Sequence, residues 1–334
     1  MRAVRRAWMG CLVVLGCSGP TGSPVELTVP VGATLDVVSD SLAARGVIAR
    51  AGAFQLYARI RGDDRHIRAG RYRLTPGTSW GEILDALTEG RVVTVRMMVP
   101  EGSRLPQIVP RIAAVSEVPD SAVLGVLGEP DGAERYGVPG PGLEGYLFPD
   151  TYLFASGVPV AVVVEAMTRR YRLVWTPERR ARLDSLGMTE RELVTLASIV
   201  QAEARKVEEM PRIASVYHNR LRRRWLLQAD PTVLYALGGY RERLLFAAID
   251  SVADHPYNTY RQPGLPPGPI GAPGEQAIVA ALYPATEPYL YFVAWPDGSH
   301  VFSRTLAEHN RAVAAARRER AEVVAGARGA TGTR

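Results

Sequence analysis

The sequence predicts an α+β fold, in which a small module of strands and short helices precedes a larger mixed α/β domain. Short segments such as Val25–Val29 alternate apolar and polar residues, which is the period expected of half-buried strands. Longer segments carry apolar residues at helical spacing and begin at capping residues. With 334 residues, 47% of them hydrophobic, the chain is long enough to bury two cores.

Residues 25–100 form the predicted small module. The strand at Val25–Val29 leads through a turn into a helix at Leu35–Ala44, and Gly46 provides the stop. Four further elements are predicted from the same patterns: a helix at 53–61, a strand at 70–74, a helix at 79–87 and a strand at 92–99.

Residues 101–320 form the predicted larger domain, which is mainly helical between 105 and 185 apart from a loop rich in glycine and proline at 137–145. Thr189 and Glu192 have the spacing of a capping box, and this predicts the start of a helix.

That helix carries the carboxylate of greatest chemical interest. Glu203 shares a helix face with Leu196, Ile199 and Val200, and this apolar face should be buried. Burial raises the pKa of a carboxyl group, as a glycosidic general acid requires. The alternative is that Glu203 reaches solvent or pairs with a nearby base: Arg205, Lys206 or Arg212.

Two further helices are predicted downstream. The first contains Met210 and Leu221 and ends in an arginine cluster at 220–224, which is expected to be a solvated helix end. In the second, Asp230 is the predicted N-cap, followed by Pro231.

The C-terminal third contains a rigid segment, a hairpin and a helix. Residues 262–274 hold many prolines and glycines, which suit either the wall of a groove or a plain crossover. A hairpin is predicted at 290–303 around a glycine-containing turn. Thr305 and Glu308 form a second capping box that opens a long helix. Residues 321–334 are predicted to be a flexible tail.

The N-terminus has the pattern of an export signal. A basic start precedes the uncharged apolar stretch 7–16, which is too short to span a bilayer comfortably. It ends at Cys17 in a sequence similar to a lipobox, so Cys17 is the predicted lipidation site, and residues 18–24 are a tether. The alternatives are an ordinary secretory signal and a short uncleaved membrane anchor.

Several function classes are disfavoured. The net charge of +6 favours anionic partners such as cell-wall polymers, lipid headgroups or nucleic acid. No nucleic-acid-binding motif accompanies the charge, so nucleic-acid binding is disfavoured. Both cysteines, Cys11 and Cys17, lie in the N-terminal signal, and the five histidines lack H-E-x-x-H spacing. No G-x-S-x-G motif indicates a serine hydrolase. We therefore expect neither a metal nor another cofactor.

Several motifs occur in a consistent order along the chain. They are Leu143–Tyr152 (LEGYLFPDTY), Ala197–Ala204 (ASIVQAEA), Asn219–Leu221, Leu227–Thr232 (LQADPT), Tyr257–Tyr260 (YNTY), Gly264–Ile270 (GLPPGPI), Phe302–Ser303 and Glu308–Asn310. Together they resemble the endolytic murein transglycosylase (YceG-like) family over about residues 25–318. The resemblance implies that Glu203 is the catalytic acid and base. Many family members carry a second glutamate where this chain has Gln201.

The same resemblance implies a LysM-like role for residues 25–100, that is, contact with N-acetylated sugars, although a spacer is an equal alternative. Residues of the matching motifs are the predicted substrate-binding set: Glu144, Gln228, Asp230, Tyr257, Asn258 and Tyr260. The implied partners are peptidoglycan strands, peptidoglycan synthases and, through the N-terminus, the membrane of the cell envelope.

The implied reaction cleaves the β-1,4 bond between N-acetylmuramic acid and N-acetylglucosamine and forms a 1,6-anhydro ring. One carboxyl group can serve both steps, because the nucleophile belongs to the substrate. From the residue types alone, a hydrolytic muramidase fits as well, with Glu144, Asp150 or Asp230 as the second carboxylate. The non-enzymatic alternative is a scaffold that binds peptidoglycan.

Overall fold

The computed structural model describes residues 22–239 and 246–331. They form two compact units: one comprises the described residues up to Val95 with Ala155–Gly157, and the other comprises Arg96–Phe154 with the described residues from Val158 onward. Both units combine helices with short strands, so the mixed α and β character of the predicted fold is confirmed. The predicted lipidation site Cys17 lies outside the described residues.

The first unit is built on a two-stranded antiparallel sheet covered by helices. Strand β1 pairs with β2 so that Val25 lies opposite Leu74 and Val29 lies opposite Gly70. The core includes the fully buried side chains of Leu42, Phe54, Tyr72 and Ile83. The elements are β1 (Val25–Val29), α1 (Leu35–Ala44), α2 (Ala51–Arg61), β2 (Gly70–Leu74) and α3 (Trp80–Glu89), and all were predicted within a few residues.

The second unit is mainly helical. The chain enters it within β3 (Thr94–Met98), which pairs with β4 (Thr151–Ala155), a strand that the sequence patterns did not predict. The other elements are α4 (Leu105–Ser116), α5 (Asp120–Leu127), α6 (Gly132–Arg135), α7 (Val160–Arg172), α8 (Pro177–Leu186), α9 (Glu190–Glu203), α10 (Met210–Arg222), α11 (Asp230–Ala236), α12 (Phe246–Asp250), α13 (Glu275–Leu282), β5 (Tyr291–Ala294), β6 (His300–Ser303) and α14 (Leu306–Thr331), with a 3-10 turn at Val207–Glu209.

Helix α9 is the central helix of the second unit. The predicted capping box at its start is present, because Thr189 and Glu192 exchange hydrogen bonds. Every residue from Leu193 to Val200 is buried, so α9 is surrounded by protein on all sides and not only on one face. Its closest neighbours are α10 and α13.

The segment at 262–274 is fastened along α9. Ser198 Oγ accepts a hydrogen bond from the Ile270 amide at 3.0 Å, and Gln201 Oε1 accepts one from the Gly274 amide at 3.0 Å. These bonds satisfy backbone donors that would otherwise be buried without a partner. The segment therefore holds a fixed path across the helix that ends in Glu203.

The C-terminal hairpin and the start of the last helix form as predicted, but α14 continues to Thr331, through most of the segment that was predicted to be a tail. Strands β5 and β6 are antiparallel, with Tyr291 opposite Ser303. Thr305 and Glu308 form the second capping box at the start of α14. In the part of the chain that the structure describes, no helix is both long and apolar enough to cross a membrane.

Candidate active site

Glu203 is the last residue of α9, and its side chain is partly buried against α10. The hydroxyl of the buried Tyr217 donates a hydrogen bond to Glu203 Oε1 at 2.9 Å. Arg212 and Lys206, two of the possible ion-pair partners, are bonded instead to Glu287 and Asp297. Glu203 therefore has a neutral hydrogen-bond donor as its direct partner.

The surroundings of Glu203 favour its protonated form. Burial raises its pKa from an ordinary 4.5 to about 7, and the negative charge of Asp230 adds to this effect. The hydrogen bond from Tyr217 and the positive charge of Arg220 act in the opposite direction. A carboxyl group with this pKa can both donate and accept a proton near neutral pH.

Glu203 lies in the wall of a cavity of about 400 Å³. Residues from α9, α10, the loop before α11, the C-terminal hairpin and α14 come together there. Its polar lining residues are Glu203, Tyr217, Arg220, Gln228, Asp230, Tyr260, Tyr291, His300 and His309. Three of the predicted substrate-binding residues, Gln228, Asp230 and Tyr260, thus lie beside Glu203.

The predicted N-cap role of Asp230 is wrong. Ala229 is the N-cap of α11, and Asp230 is the first helical residue, so its carboxylate makes no capping bond. It accepts a hydrogen bond from the Tyr260 hydroxyl instead. The physical reason is that the loop holding Tyr260 lies against the start of α11: the Gln228 amide bonds to the Thr259 carbonyl at 3.0 Å.

Gln228 has a backbone conformation that is uncommon for a residue with a side chain. Its φ is +49°, in the left-handed region, yet its side chain is exposed at the cavity wall. Such strain costs on the order of 1 kcal/mol and is found more often at functional sites than elsewhere.

Arg220 departs from the predicted solvated arginine cluster, because it is buried. Its guanidinium donates to the carbonyls of Leu290 at 2.7 Å and Leu227 at 2.6 Å, and it lies 5.4 Å from the Tyr291 ring. The positive charge is therefore fixed at the cavity by the hairpin and by the loop before α11. The other three arginines of the cluster are exposed.

Two histidines also line the cavity, and the sequence patterns did not identify either as a site residue. Glu209 holds His300 through both the backbone amide, at 3.0 Å, and ring Nδ1, at 2.7 Å. The His309 ring stacks on Tyr291 at 5.3 Å. The one sequence feature that could have indicated such a role is that His309 lies in the family motif Glu308–Asn310.

Glu144 and Tyr257 lie in a different cluster. Both oxygens of Glu144 accept the Leu105 amide at 3.3 Å, at the start of α4. Burial raises the pKa of Glu144 to about 7, opposed by that amide, by the charge of Arg104 and by Tyr235. The rings of Tyr235 and Tyr257 are 4.7 Å apart. Neither predicted residue is among those that line the Glu203 cavity.

Asn258 is fully buried and supports the loop that carries Tyr260. Its Nδ2 donates to the carbonyls of Ile249 and Val252 at 2.9 and 3.0 Å, and its Oδ1 accepts the Tyr260 amide at 3.1 Å. All of these partners belong to the protein. Asn258 does not line the cavity and therefore affects it only by holding the loop of Tyr260 in place.

The geometry combines one carboxyl group of raised pKa, a fixed guanidinium and several aromatic and hydroxyl groups in one cavity. Within residues 22–239 and 246–331, no group of three or more His, Cys, Asp or Glu residues is placed to hold a metal ion. The sequence signature of the YceG-like family matches residues 27–315.

The chain belongs to the YceG-like family.

Relatives of known name support this assignment over most of the chain. The endolytic murein transglycosylase of Bacillus subtilis is 33% identical over 305 residues, covering 86% of this chain and 83% of that protein. The Streptococcus pneumoniae serotype 2 protein of the same name is 29% identical, covering 87% of this chain and 58% of that protein. A crystal structure of a YceG-like protein from Listeria monocytogenes is 33% identical, with a TM-score of 0.60 over 86% of this chain and 98% of that one.

The raised pKa of Glu203 predicts a pH-dependent gain of stability in Glu203→Gln. Because its pKa is about 7 in the folded state and 4.5 ordinarily, the folded state binds the proton more tightly. Stability from this group therefore falls as pH rises from about 4.5 to 7. We expect the variant to match the wild type at pH 4 and to exceed it by roughly 1–3 kcal/mol at pH 8.

Thermal melts of both proteins between pH 4 and pH 8 measure this difference. Glu208→Gln, at an exposed position, controls for loss of a negative charge. A difference between wild type and Glu203→Gln that stays constant over this pH range would contradict the assigned environment of Glu203.

Proposed function

We propose that this YceG-like chain is an endolytic lytic transglycosylase that cleaves peptidoglycan glycan strands, with Glu203 as the acid and base. The observation that carries the proposal is a single carboxyl group with a pKa of about 7 in a cavity lined by hydroxyl and aromatic groups. The names of the relatives at 33% and 29% identity support the same reaction class.

In the proposed reaction, protonated Glu203 donates its proton to the glycosidic oxygen between N-acetylmuramic acid and N-acetylglucosamine. The bond from C1 of N-acetylmuramic acid to that oxygen breaks, and N-acetylglucosamine leaves with the oxygen as a hydroxyl group. The resulting carboxylate then accepts the proton of the muramic C6 hydroxyl, whose oxygen bonds to C1 and forms the 1,6-anhydro product. Tyr217 holds the carboxyl group in place, and the guanidinium of Arg220 stabilises its anionic form between the two steps.

A hydrolytic muramidase is the second candidate, and one observation favours it. Asp230 lies in the same cavity as Glu203, and its charge contributes to the raised pKa of Glu203. A second carboxylate on the opposite side of the sugar could activate a water molecule. In the lytic reaction, by contrast, the Asp230–Tyr260 pair only positions the sugar.

Digestion of purified glycan strands followed by mass spectrometry separates these functions. Products that end in anhydromuramic acid support the lytic transglycosylase, and products with reducing ends support the muramidase. Absence of any product would leave a scaffold that binds peptidoglycan without cleaving it.

Sugar binding in the cavity involves Gln228, Asp230 and Tyr260 in this proposal, because these residues line it beside Glu203. Glu144 and Tyr257 contact a more distant part of the strand. Asn258 contributes by holding the loop of Tyr260. Peptidoglycan synthases are the proposed protein partners, because cleavage of nascent strands ends their elongation.

The first unit is proposed to act as a LysM-like module. A concavity of about 410 Å³ lies between the start of α1 and the loop after α2, lined by Thr34, Asp64 and Ile67 among others. We expect N-acetylglucosamine oligomers to bind there and to slow hydrogen exchange in residues 33–36 and 64–67 of the full chain. Hydrogen exchange mass spectrometry checks this, and unchanged exchange in both segments would favour the spacer.

Attachment to the cell envelope is proposed to occur through lipidation of Cys17, which places the enzyme on the outer side of the cytoplasmic membrane. The support is the short apolar stretch that ends at Cys17. Labelling cells with a fatty-acid probe tests this proposal. Uptake of label by the wild type but not by Cys17→Ser is expected, and equal labelling of both would favour another mode of attachment.

A further inference from the structure

A large concave region of the second unit is separate from the Glu203 cavity. Two concavities of about 700 and 500 Å³ adjoin each other and share Leu186, His218 and Arg222. They lie among α8, α9, the end of α10, the segment at 263–267 and the loop at 284–288. No residue in their lining also lines the Glu203 cavity, so this region, here called the arginine groove, is a separate feature.

The arginine groove has an excess of positive charge. Four arginines line it, and each of their bonds among the described residues goes to a neutral acceptor or to a ring. Arg182 donates to the Leu282 carbonyl and Ser185, Arg191 donates to the Pro267 carbonyl, Arg222 donates to Asn219 Oδ1, and Arg223 lies 5.9 Å from the Trp225 ring. These cations are therefore available to an anionic ligand.

The two carboxylates in the lining are already engaged. Glu192 accepts hydrogen bonds within the capping box of α9, and Glu287 pairs with Arg212 at 2.8 Å. A nearby titratable group also experiences the positive charge: burial lowers the pKa of His218, and the charges of Arg222 and Arg182 lower it further. The electrostatic potential in the groove is therefore suited to anions.

The shape of the groove distinguishes among anionic ligands. Its arginines come from α8, α9 and the end of α10, so they are not all supplied by one element. Apolar side chains share the lining with them, including Leu186, Leu265 and the prolines at 263, 266 and 267. A lone phosphate would need converging donors. A ligand that carries several carboxylates spaced along a partly apolar chain matches this arrangement better than a single phosphate does.

Such a ligand is attached to the proposed substrate. Each muramic acid of a peptidoglycan strand can carry a short peptide with free carboxylates and apolar side chains. Arg191 and Thr195 of the groove precede Glu203 on α9 by twelve and eight residues. At the rise of an α-helix these spacings correspond to about 18 and 12 Å, a distance that an extended polymer readily covers.

We infer that the arginine groove is a binding site for the carboxylate-bearing peptide stems of peptidoglycan. This inference rests on the proposed function for the identity of the substrate. Its consequence is a preference for strands that still carry their peptides over strands from which an amidase has removed them.

The test uses the full chain and peptide stems released from peptidoglycan by an amidase. We expect calorimetry to show binding of the free-acid peptide and at least tenfold weaker binding of its methyl ester. The double variant Arg222→Gln/Arg223→Gln should bind the free acid about tenfold more weakly or worse, whereas Arg222→Lys/Arg223→Lys should retain part of the affinity. The matched control is Arg317→Gln/Arg318→Gln, an exposed arginine pair on α14 that loses the same charge.

Cleavage rates provide the second measurement. The wild type should have a higher kcat/KM on peptide-bearing strands than on stripped strands, and the glutamine double variant should lose this preference through KM. Unchanged peptide affinity in that variant, or binding of inorganic phosphate or anionic phospholipid vesicles in place of the peptide, would overturn the inference. Failure of the wild type to cleave either strand would instead count against the proposed function.

Discussion

Glu203→Gln lowers the rate of product release from purified glycan strands by ~10²–10⁴-fold or more. General acid–base catalysis contributes about this factor, and in the proposed mechanism one residue serves as both acid and base. The amide keeps the shape of the carboxyl group and can still accept the hydrogen bond from Tyr217, but it cannot transfer the proton. The fold and the affinity for the strand should therefore change little.

The measurement is the rate of product release by purified variants, together with their melting temperatures. Glu144→Gln is a matched control, because Glu144 is also a partly buried glutamate with a pKa of about 7 but lies outside the Glu203 cavity. Asp230→Asn tests the second carboxylate of that cavity. We expect both Glu144→Gln and Asp230→Asn to lose less of the cleavage rate than Glu203→Gln. A near wild-type rate for Glu203→Gln would refute the mechanism, and collapse in Glu144→Gln alone would assign the acid to residue 144.

Gly145→Ala destabilises the second unit by about 2–5 kcal/mol, for two independent reasons. Gly145 has φ +85°, a conformation that residues with a side chain rarely adopt. A Cβ atom there would lie 2.3 Å from Cβ of Pro269 and 3.3 Å from the Gly271 carbonyl oxygen. The neighbouring proline is part of the fixed segment on α9, so it cannot move aside without disturbing that helix.

Thermal or denaturant unfolding measures the effect, which corresponds to a fall in melting temperature of roughly 5–15 °C for a unit of this size. Gly125→Ala is the control, because Gly125 lies inside α5 and an added Cβ would have no atom within 4 Å. There we expect a gain of about 0.5–1 kcal/mol from the lower entropy of the unfolded chain. If Gly145→Ala were as stable as the wild type, Gly145 would not be in close contact with Pro269.

The sequence alone identifies the helix that carries Glu203. Capping at Thr189 and the apolar spacing of Leu196 and Ile199 depend on residues only a few positions apart, so both can be recognised from the sequence. The same local rules explain why the hairpin β5–β6 and the start of α14 were predicted correctly. The motifs of the family indicate Glu203 as the catalytic candidate.

Only the tertiary structure shows which distant residues surround that carboxyl group. Arg220 belongs to a cluster that is solvated by every local criterion, yet the hairpin and the loop before α11 supply the carbonyls that bury it. Tyr217 reaches the cavity because α10 packs beside α9, and the hairpin that carries His300 packs against α10. Glu144 is instead held at the start of α4. These placements depend on how loops fold back across long sequence separations, and periodicity along one helix or strand contains no information about that.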